Sequence, residues 1–217
     1  QTPVDKGTHV EIRAGTGTLT AKHVIMAADT WTGRIAPKLN SYTVPIMNYN
    51  IATAPLPDAD QLLPSDAAIA DSRFVLNYFR LSADKRLIFG GGTVYGGTDP
   101  ADVVAKLRPA MEKVYPSLKG IKIDHAWSGN FALSFSRVPQ MGRLGDNTYY
   151  AHGYSGHGVT GSHTFGRILA EAVDGDKTRF DVFAKVPWYP FPGGRMFRVP
   201  YSMMGSWYYA LRDKMGI

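Results

Sequence analysis

The sequence predicts an α+β fold made of mostly antiparallel sheet with a few covering helices. Short apolar segments alternate in the manner of strands and are followed by turn residues, as at residues 10–18. Two such segments, 74–81 and 86–90, flank a short turn and predict a β-hairpin. Helical periodicity is confined to a few places, of which residues 103–114 and 159–173 are the clearest.

Composition limits the class of protein. The chain has 217 residues, enough for one large domain or two small ones. Its 44% hydrophobic and 19% charged residues are ordinary for a globular protein. No apolar run approaches the ~18 residues of a membrane span, and the polar start has no secretory pattern. The net charge of +6 is spread among acidic residues, so we expect neither a membrane span nor a nucleic-acid partner.

The chain contains no cysteine. This excludes a disulfide framework, a thiolate metal site and a catalytic thiol, and it fits a reducing compartment, so a cytoplasmic location is the expectation. His152, His157 and His163 have a spacing that suits neither a helical metal pair nor a zinc ribbon. We therefore expect no metal site.

The first fifty residues predict a strand-rich start. Strands are expected at 10–14, 19–22 and 23–27, with a hairpin turn at 15–18. Residues 31–39 predict a short helix that ends at Asn40 and Ser41. Residues 44–53 predict another strand, in which Pro45 confines the first residues to an edge or a bend.

The middle of the chain predicts a hairpin and then a helix. A loop at 54–66 precedes the hairpin 74–81/86–90, after which the glycines at 90–92 and 96–97 are expected to loosen the chain. Thr98, Asp99 and Pro100 predict the start of the helix that carries the apolar positions from 103 to 114. Pro109 should kink this helix or divide it.

The last third predicts strands, a long helix and an extended tail. Residues 121–131 predict a strand, and 137–142 turn into a final strand before a glycine-rich segment. Phe165, Ile168, Leu169, Ala172 and Val173 form one apolar stripe in the helix that follows. The tail at 187–200 is expected to be extended and to end in a helix at 203–214.

Gly156, Gly158 and Gly161 fit the pattern G-x-G-x-x-G, which is usually interpreted as a dinucleotide fingerprint. That interpretation requires a second parallel strand after the helix, with an acidic residue near its end. Residues 174–177 and a proline-rich tail follow instead. The glycines are better explained as letting a cofactor approach the backbone at a helix N-terminus. A tight turn without a ligand is the alternative, and the glycines alone do not decide between them.

A second set of residues could line a pocket for an organic substrate. Tyr78, Asn130 and Phe131 are the candidates, although each residue type is more often part of a core. Arg80 could hold a carboxylate, although a surface salt bridge is the commoner role of a lone arginine.

The segment 153–159, followed by Gly166 and residues 169–171, resembles the C-terminal flavin motif of the D-amino-acid-oxidase-like FAD-dependent oxidoreductases. Residues 23–28 with Trp31, the predicted hairpin, Tyr115 with Pro116, and residues 139–142 are also similar, in the same order. The resemblance runs from about residue 8 to residue 183. The tail at 189–195 and 207–213 is similar to gamma-glutamylputrescine oxidase-type members.

The resemblance implies a cofactor and a division of the chain. FAD would be bound noncovalently through eight consecutive residues: Gly153, Tyr154, Ser155, Gly156, His157, Gly158, Val159 and Thr160. Residues 1–40 and 141–183 would complete an FAD-binding domain, 41–140 would form a substrate-binding β-sheet domain, and 184–217 would be a tail with a terminal helix. The family's N-terminal fingerprint for the ADP half of FAD is missing, so the chain is expected to be the C-terminal part of a longer enzyme.

The resemblance also implies a reaction. The enzyme would oxidise an amine or amino acid to an imine, which water hydrolyses to an aldehyde or keto acid, with oxygen as the expected acceptor. The substrate pocket would include Tyr78, Arg80, Asn130 and Phe131, with no general base assigned. Several relatives place a lysine over the flavin where this chain has residues 87–90, although Lys85 is close in sequence. A non-catalytic binding or scaffold domain is the alternative.

Overall fold

The computed structural model describes residues 2–33, 35–73, 75–96 and 101–215. The chain forms two compact units. Unit 1 comprises residues 1–45 and 131–199, and unit 2 comprises residues 46–130 and 200–217. Both combine antiparallel sheet with helices, so the predicted α+β class is confirmed.

Unit 1 contains two three-stranded sheets. Antiparallel strands β1 (Val4–Asp5), β2 (Val10–Ala14) and β3 (Gly17–Ala21) form the first. The second has the order β10-β11-β4 and contains β4 (Val24–Met26), β10 (Gln140–Arg143) and β11 (Thr148–His152). Strand β11 runs antiparallel to β10 and parallel to β4, which makes this sheet mixed.

The core of unit 1 lies between the second sheet and two helices, α4 (Gly158–Val173) and α5 (Thr178–Ala184). The predicted apolar stripe of α4 is confirmed, because four of its five residues are buried there, and Val173 packs against the cluster. The buried members are Met141, Tyr149, Ala151, Phe165, Ile168, Leu169, Ala172 and Phe180. This packing fixes the start of α4 relative to the end of β11.

Unit 2 is built on a five-stranded sheet with the order β6-β7-β8-β5-β9. The strands are β5 (Thr43–Thr53), β6 (Ile69–Ala70), β7 (Tyr78–Leu81), β8 (Leu87–Tyr95) and β9 (Ile123–Ser134). Helices α2 (Ala59–Leu62) and α3 (Val103–Val114) contribute to its core. Alternate strand residues such as Tyr49, Phe79 and Phe89 face that core, so their neighbours in sequence face the other side.

The helix predicted at 31–39 is wrong as a single element. The structure has a 3₁₀ turn at Asp29–Thr32 and a separate helix α1 (Pro37–Asn40). Gly33 has φ = +44°, which no helix continues through, and the ring of Pro37 is suited to a first helical position.

The predicted hairpin is confirmed, but its boundaries differ. Strand β7 begins at Tyr78, because Asn77 is bound to Asp71 through both its backbone N–H and its side-chain amide. Phe74 lies outside the described residues. The glycines at 90–92 stay within β8, where Gly90 and Gly91 pair with β5 and Gly92 is left out of the pairing.

The helix α3 differs from the prediction at its start and in its middle. Thr98, Asp99 and Pro100 lie outside the described residues, and the cap is Asp102, whose carboxylate accepts the N–H of Ala105 at 2.9 Å. Pro109 lies inside one continuous helix. The buried apolar face of α3 stabilises it enough to tolerate the lost backbone bond.

The tail is helical earlier than predicted. Helix α6 (Gly194–Met215) includes Pro200, so the extended conformation predicted up to residue 200 is wrong from residue 194 onwards. The buried guanidinium of Arg198 donates to the carbonyl of Thr43 and to Asn40 Oδ1, which holds the first turns of α6 in place in unit 1. Among the residues described, no helix combines the length and the apolar character of a membrane span.

Candidate functional site

The glycine-rich segment of unit 1 forms a tight connection between β11 and α4. Gly153, Ser155 and Gly156 all have positive φ, at +73°, +55° and +95°. Glycine adopts this conformation without the steric penalty that other residues meet, which explains the local glycine content. The turn lets α4 start directly beyond the end of the strand.

The first turn of α4 offers backbone donors. The first α-type bond from this segment runs from Gly161 N to the carbonyl of His157, so the N–H groups of Gly158, Val159 and Thr160 precede it. A Cβ added at residue 156 would meet nothing within 4 Å, and one added at residue 158 would meet only Tyr154, at 3.8 Å. The helix start is therefore open and carries the positive end of the helix dipole.

The third glycine of the motif has a different purpose. A Cβ at Gly161 would come within 2.8 Å of the ring of Tyr154. That ring packs against Phe165, with ring centroids 5.9 Å apart. Gly161 is therefore needed for packing of the turn onto α4, whereas Gly156 and Gly158 leave space on the outside.

Asp29 holds the turn from across the unit. Its carboxylate accepts the N–H of Gly153 and the N–H of Ala132, both at 2.8 Å, and its own φ is +41°. The glycine turn is thus tied to the end of β9 by one side chain. Sequence reasoning missed Asp29, because its two partners lie 124 and 103 residues away.

His152 lies immediately before the turn and is buried. Its Nε2 hydrogen-bonds to Gln140 Oε1 at 2.8 Å, and Nδ1 has no partner among the residues described. Burial lowers the pKa of His152 to about 4, so the ring is neutral near pH 7 and Nε2 is the donor. His157 and His163 lie on the exposed start of α4, and no cluster of three potential metal ligands occurs among the described residues.

Tyr78 lies on the face of the unit 2 sheet that is turned away from the core. Its ring rests on Gly90, where an added Cβ would be 2.1 Å from Cε2, and its hydroxyl donates to Asn48 Oδ1 at 2.6 Å. Burial raises the pKa of Tyr78, and a hydrogen bond with Asn50 acts in the opposite direction. Asn48 and Asn50 were not found from the sequence, since only the strand register brings them to Tyr78.

Arg80 lies two residues along the same face of β7. Its Nε donates to the carbonyl of Leu81, and its guanidinium lies 3.8 Å from Asp66. Both side chains are largely exposed, at 53% and 86%, so this pair is weak. Most of the guanidinium is therefore available to a ligand.

The other two predicted pocket residues are neighbours in β9. Asn130 is the last residue of this part of unit 2, and Phe131 is the first of the returning part of unit 1. Both are half-buried. Their assignment to the substrate pocket stays a prediction.

A pocket of about 530 Å³ lies beside the same sheet face, with Ala52, Ile88 and Trp127 among its lining residues. The charges at its edge neutralise one another, because Arg86 lies 2.6 Å from both Asp84 and Asp124. Hydrogen bonds from Arg86 and Lys122 lower the pKa of Asp124 to about 2. The pocket therefore has an apolar wall, and the charged side chains at its edge are paired with one another.

Comparison with known proteins assigns the chain to a class. Residues 1–172 match the family described as FAD dependent oxidoreductase, and the chain belongs to this family. It is 47% identical over 219 residues to the gamma-glutamylputrescine oxidoreductase of Escherichia coli (strain K12), covering 100% of this chain and 51% of that protein. It is also 35% identical to a protein of Rhizobium meliloti (strain 1021) named probable oxidoreductase OrdL, covering 96% of this chain and 49% of that protein.

Similar solved structures support the fold. Glycine oxidase from Geobacillus kaustophilus superposes with a TM-score of 0.68 at 20% identity, over 82% of this chain and 50% of that one. L-proline dehydrogenase from P. horikoshii gives a TM-score of 0.66 at 18% identity, over 95% and 54% of the two chains. The chain spans about half the length of the curated relatives it matches.

Proposed function

We propose that this chain is part of an FAD-dependent oxidoreductase that oxidises an amine or amino acid, with a gamma-glutamylated amine such as gamma-glutamylputrescine as its substrate. The observation that carries the proposal is the open, glycine-lined start of α4, placed directly after a buried strand in a chain of this family. The 47% identity to gamma-glutamylputrescine oxidoreductase supports the choice of substrate class.

The residues present fit the ring end of a flavin. Consecutive backbone N–H groups at Gly158, Val159 and Thr160 suit an electron-rich carbonyl edge, and space is open at residues 156 and 158. The eight residues Gly153–Thr160 are the proposed contacts, with Asp29 holding their turn. The chain has no cysteine to form a covalent link, so the proposed binding is noncovalent.

The rest of the cofactor would be held by polypeptide outside this chain. In the proposal the partner is an N-terminal flavin-binding half of the kind the relatives' extra length can supply. We therefore expect the 217-residue chain on its own to bind FAD weakly or not at all.

FAD, when bound, would supply the chemistry of accepting two electrons from the substrate. The positive end of α4 would stabilise negative charge at its N-terminus. Tyr78 and Arg80 would orient the substrate, with Arg80 holding a carboxylate. The substrate would lose two electrons and two protons to become an imine. Water would then convert the imine to an aldehyde or keto acid and release the nitrogen as ammonia or an amine.

Oxygen is the proposed final acceptor. Lys85, the lysine nearest to the strand where several relatives place one, lies in the β7–β8 turn, where its ammonium binds Asp60 at 2.6 Å. Both side chains are more than half exposed. A role for Lys85 in oxygen reduction would require it to leave that partner.

For the test, this chain is fused to the N-terminal half of the Escherichia coli relative, and the fusion protein is loaded with FAD. Gamma-glutamylputrescine, sarcosine and D-amino acids are then added without oxygen, and flavin absorbance is followed. We expect gamma-glutamylputrescine to bleach the flavin and peroxide to appear when air is admitted. A properly flavinated protein that none of these compounds reduces would contradict the proposal and favour a non-catalytic scaffold.

A further inference from the structure

A chain of side-chain hydrogen bonds crosses one face of the unit 2 sheet. Tyr78 Oη donates its proton to Asn48 Oδ1, at 2.6 Å, and Asn50 hydrogen-bonds to the same phenol. Because the phenol proton is committed to Asn48, Asn50 takes part through its NH₂ group. The hydrogen bonds therefore all point the same way, with Asn50 donating to Tyr78 and Tyr78 donating to Asn48.

The orientation of the Asn48 amide follows from the two groups that donate hydrogen bonds to its oxygen. Oδ1 accepts the hydroxyl of Tyr78 and also the backbone N–H of Tyr49, at 2.7 Å. An amide oxygen has two lone pairs, and both are used by these bonds. What Asn48 can still offer a ligand is its NH₂ group, which only donates.

A β-bulge lies opposite Asn48. The register between β5 and β8 shifts between Asn48 and Tyr49, which pair with Thr93 and Gly91, so Gly92 is the extra residue. Gly92 has φ = +59°, a conformation for which glycine is suited. Bulges interrupt the ladder and re-aim side chains next to binding sites.

The polar groups on this face suit a ligand oxygen beside Asn48. Arg80 lies on the same face, level with Ala52, and its side chain is 53% exposed and only weakly paired with Asp66. The carboxylates of the adjoining pocket, Asp84 and Asp124, are engaged by Arg86. Near Asn48 the face therefore presents side-chain NH₂ donors, which suit a carbonyl or carboxylate oxygen.

We propose that the NH₂ group of Asn48 recognises an acyl or carboxylate oxygen of the substrate. This inference rests on the proposed function, which is the oxidation of an amine, and adds a preference among amine substrates. The sheet face takes an amino acid or an N-acylated amine in preference to a plain diamine, because a diamine has no oxygen to accept from Asn48.

The test measures binding to the 217-residue chain by NMR, which detects the side-chain NH₂ signals of asparagine directly. Gamma-glutamylputrescine and putrescine are the two probes, since they differ by the acyl group and its oxygens. We expect the Asn48 NH₂ signals to shift with gamma-glutamylputrescine and not with putrescine. Equal shifts with both probes, or no shift with either, would overturn the inference.

The variant Asn48→Asp separates the donor from the rest of the side chain. Aspartate can still accept from Tyr78 and Tyr49, but it has no donor to offer. We expect gamma-glutamylputrescine to bind about tenfold more weakly or worse. Gln61→Glu, an exposed position in α2 with the same change of charge, is the matched control and should bind as the wild type does.

A second variant covers the case in which Asn48→Asp unfolds. Asn48→Ala also removes the donor without adding charge, and urea unfolding identifies which variant is folded. Unchanged affinity in a folded variant would overturn the inference. The flavin-reduction test above is independent, because binding selectivity without flavin reduction contradicts only the proposed function.

Discussion

The two candidate sites present hydrogen-bond donors in different ways. At the start of α4 the donors are backbone N–H groups, exposed because glycines remove the side chains around them. On the unit 2 sheet the donors are side-chain amides, and glycine at position 90 only makes room for Tyr78. The site at the start of α4, called the backbone site below, depends on local conformation. The site on the unit 2 sheet, called the side-chain site below, depends on strand register.

Asp29→Ala should have the largest effect, because it breaks the support of the backbone site. The substitution removes two charge-assisted hydrogen bonds, to Gly153 and Ala132, and places alanine at φ = +41°. We expect a loss of about 4 kcal/mol in the free energy of unfolding by urea. Faster hydrogen exchange at both amides should accompany it.

Asp29→Asn is the matched control for that prediction. Asparagine tolerates positive φ and keeps one accepting oxygen, so about half of the loss should be recovered. Equal stability of Asp29→Ala and the wild type would show that the carboxylate does not hold the turn.

The pH dependence of unit 1 should report the burial of His152. The pKa of His152 is about 4 in the folded chain and has an ordinary value of 6.5. Above pH 6.5 both states are neutral; as pH falls from there towards 4, the unfolded chain binds a proton that the folded chain does not. Stability is therefore lost over this interval, by about 3 kcal/mol in full.

The difference between the wild type and His152→Gln isolates this effect from the carboxylates that titrate in the same range. Urea unfolding at a series of pH values gives both curves. Parallel curves between pH 6.5 and 4 would mean that His152 is not the titrating group.

Gly90→Ala should damage the side-chain site with a smaller loss of stability. The added Cβ would lie 2.1 Å from the Tyr78 ring and 2.5 Å from Asn50 Oδ1, so the ring must move. We expect a loss of about 2 kcal/mol in thermal or urea unfolding. The fluorescence and NMR signals of Tyr78 should change as well, and a variant in which they do not would place the ring elsewhere.

Gly166→Ala should have the smallest effect and the opposite sign. Gly166 lies within α4, and a Cβ there meets nothing within 4 Å. Alanine is the better helix former, so unfolding should require about 0.5–1 kcal/mol more. A destabilised variant would indicate that this face of α4 is covered.

The sequence predicts the backbone site far better than the side-chain site. The apolar stripe of α4 and the glycines before it are local patterns, and α4 begins one residue from the predicted start. No local sequence pattern marks Asp29, Asn48 or Asn50 as site residues, because turn geometry and strand register bring their partners from distant positions.

The incorrect predictions of secondary structure also arise where distant contacts outweigh local propensity. The glycines at 90–92 were expected to loosen the chain on their intrinsic flexibility, but they stay in β8, where Gly90 and Gly91 pair with β5 and Gly92 forms a bulge. Pro109 was expected to kink or divide its helix, yet it lies inside one continuous helix, whose buried face outweighs one lost backbone bond. The tail was expected to be extended up to residue 200, yet α6 begins at Gly194 and includes Pro200. Local propensity is decisive only where no distant contact opposes it.

Gly158→Ala tests whether the backbone at the start of α4 receives the flavin. The added Cβ has only an ordinary 3.8 Å contact with Tyr154, so folding should be unaffected while a methyl group enters the space in front of the helix. In the chain joined to the N-terminal half of the Escherichia coli relative, we predict FAD binding about tenfold weaker or worse, with unfolding unchanged and Gly166→Ala binding normally. Wild-type affinity for FAD in folded Gly158→Ala would contradict flavin binding at the start of α4.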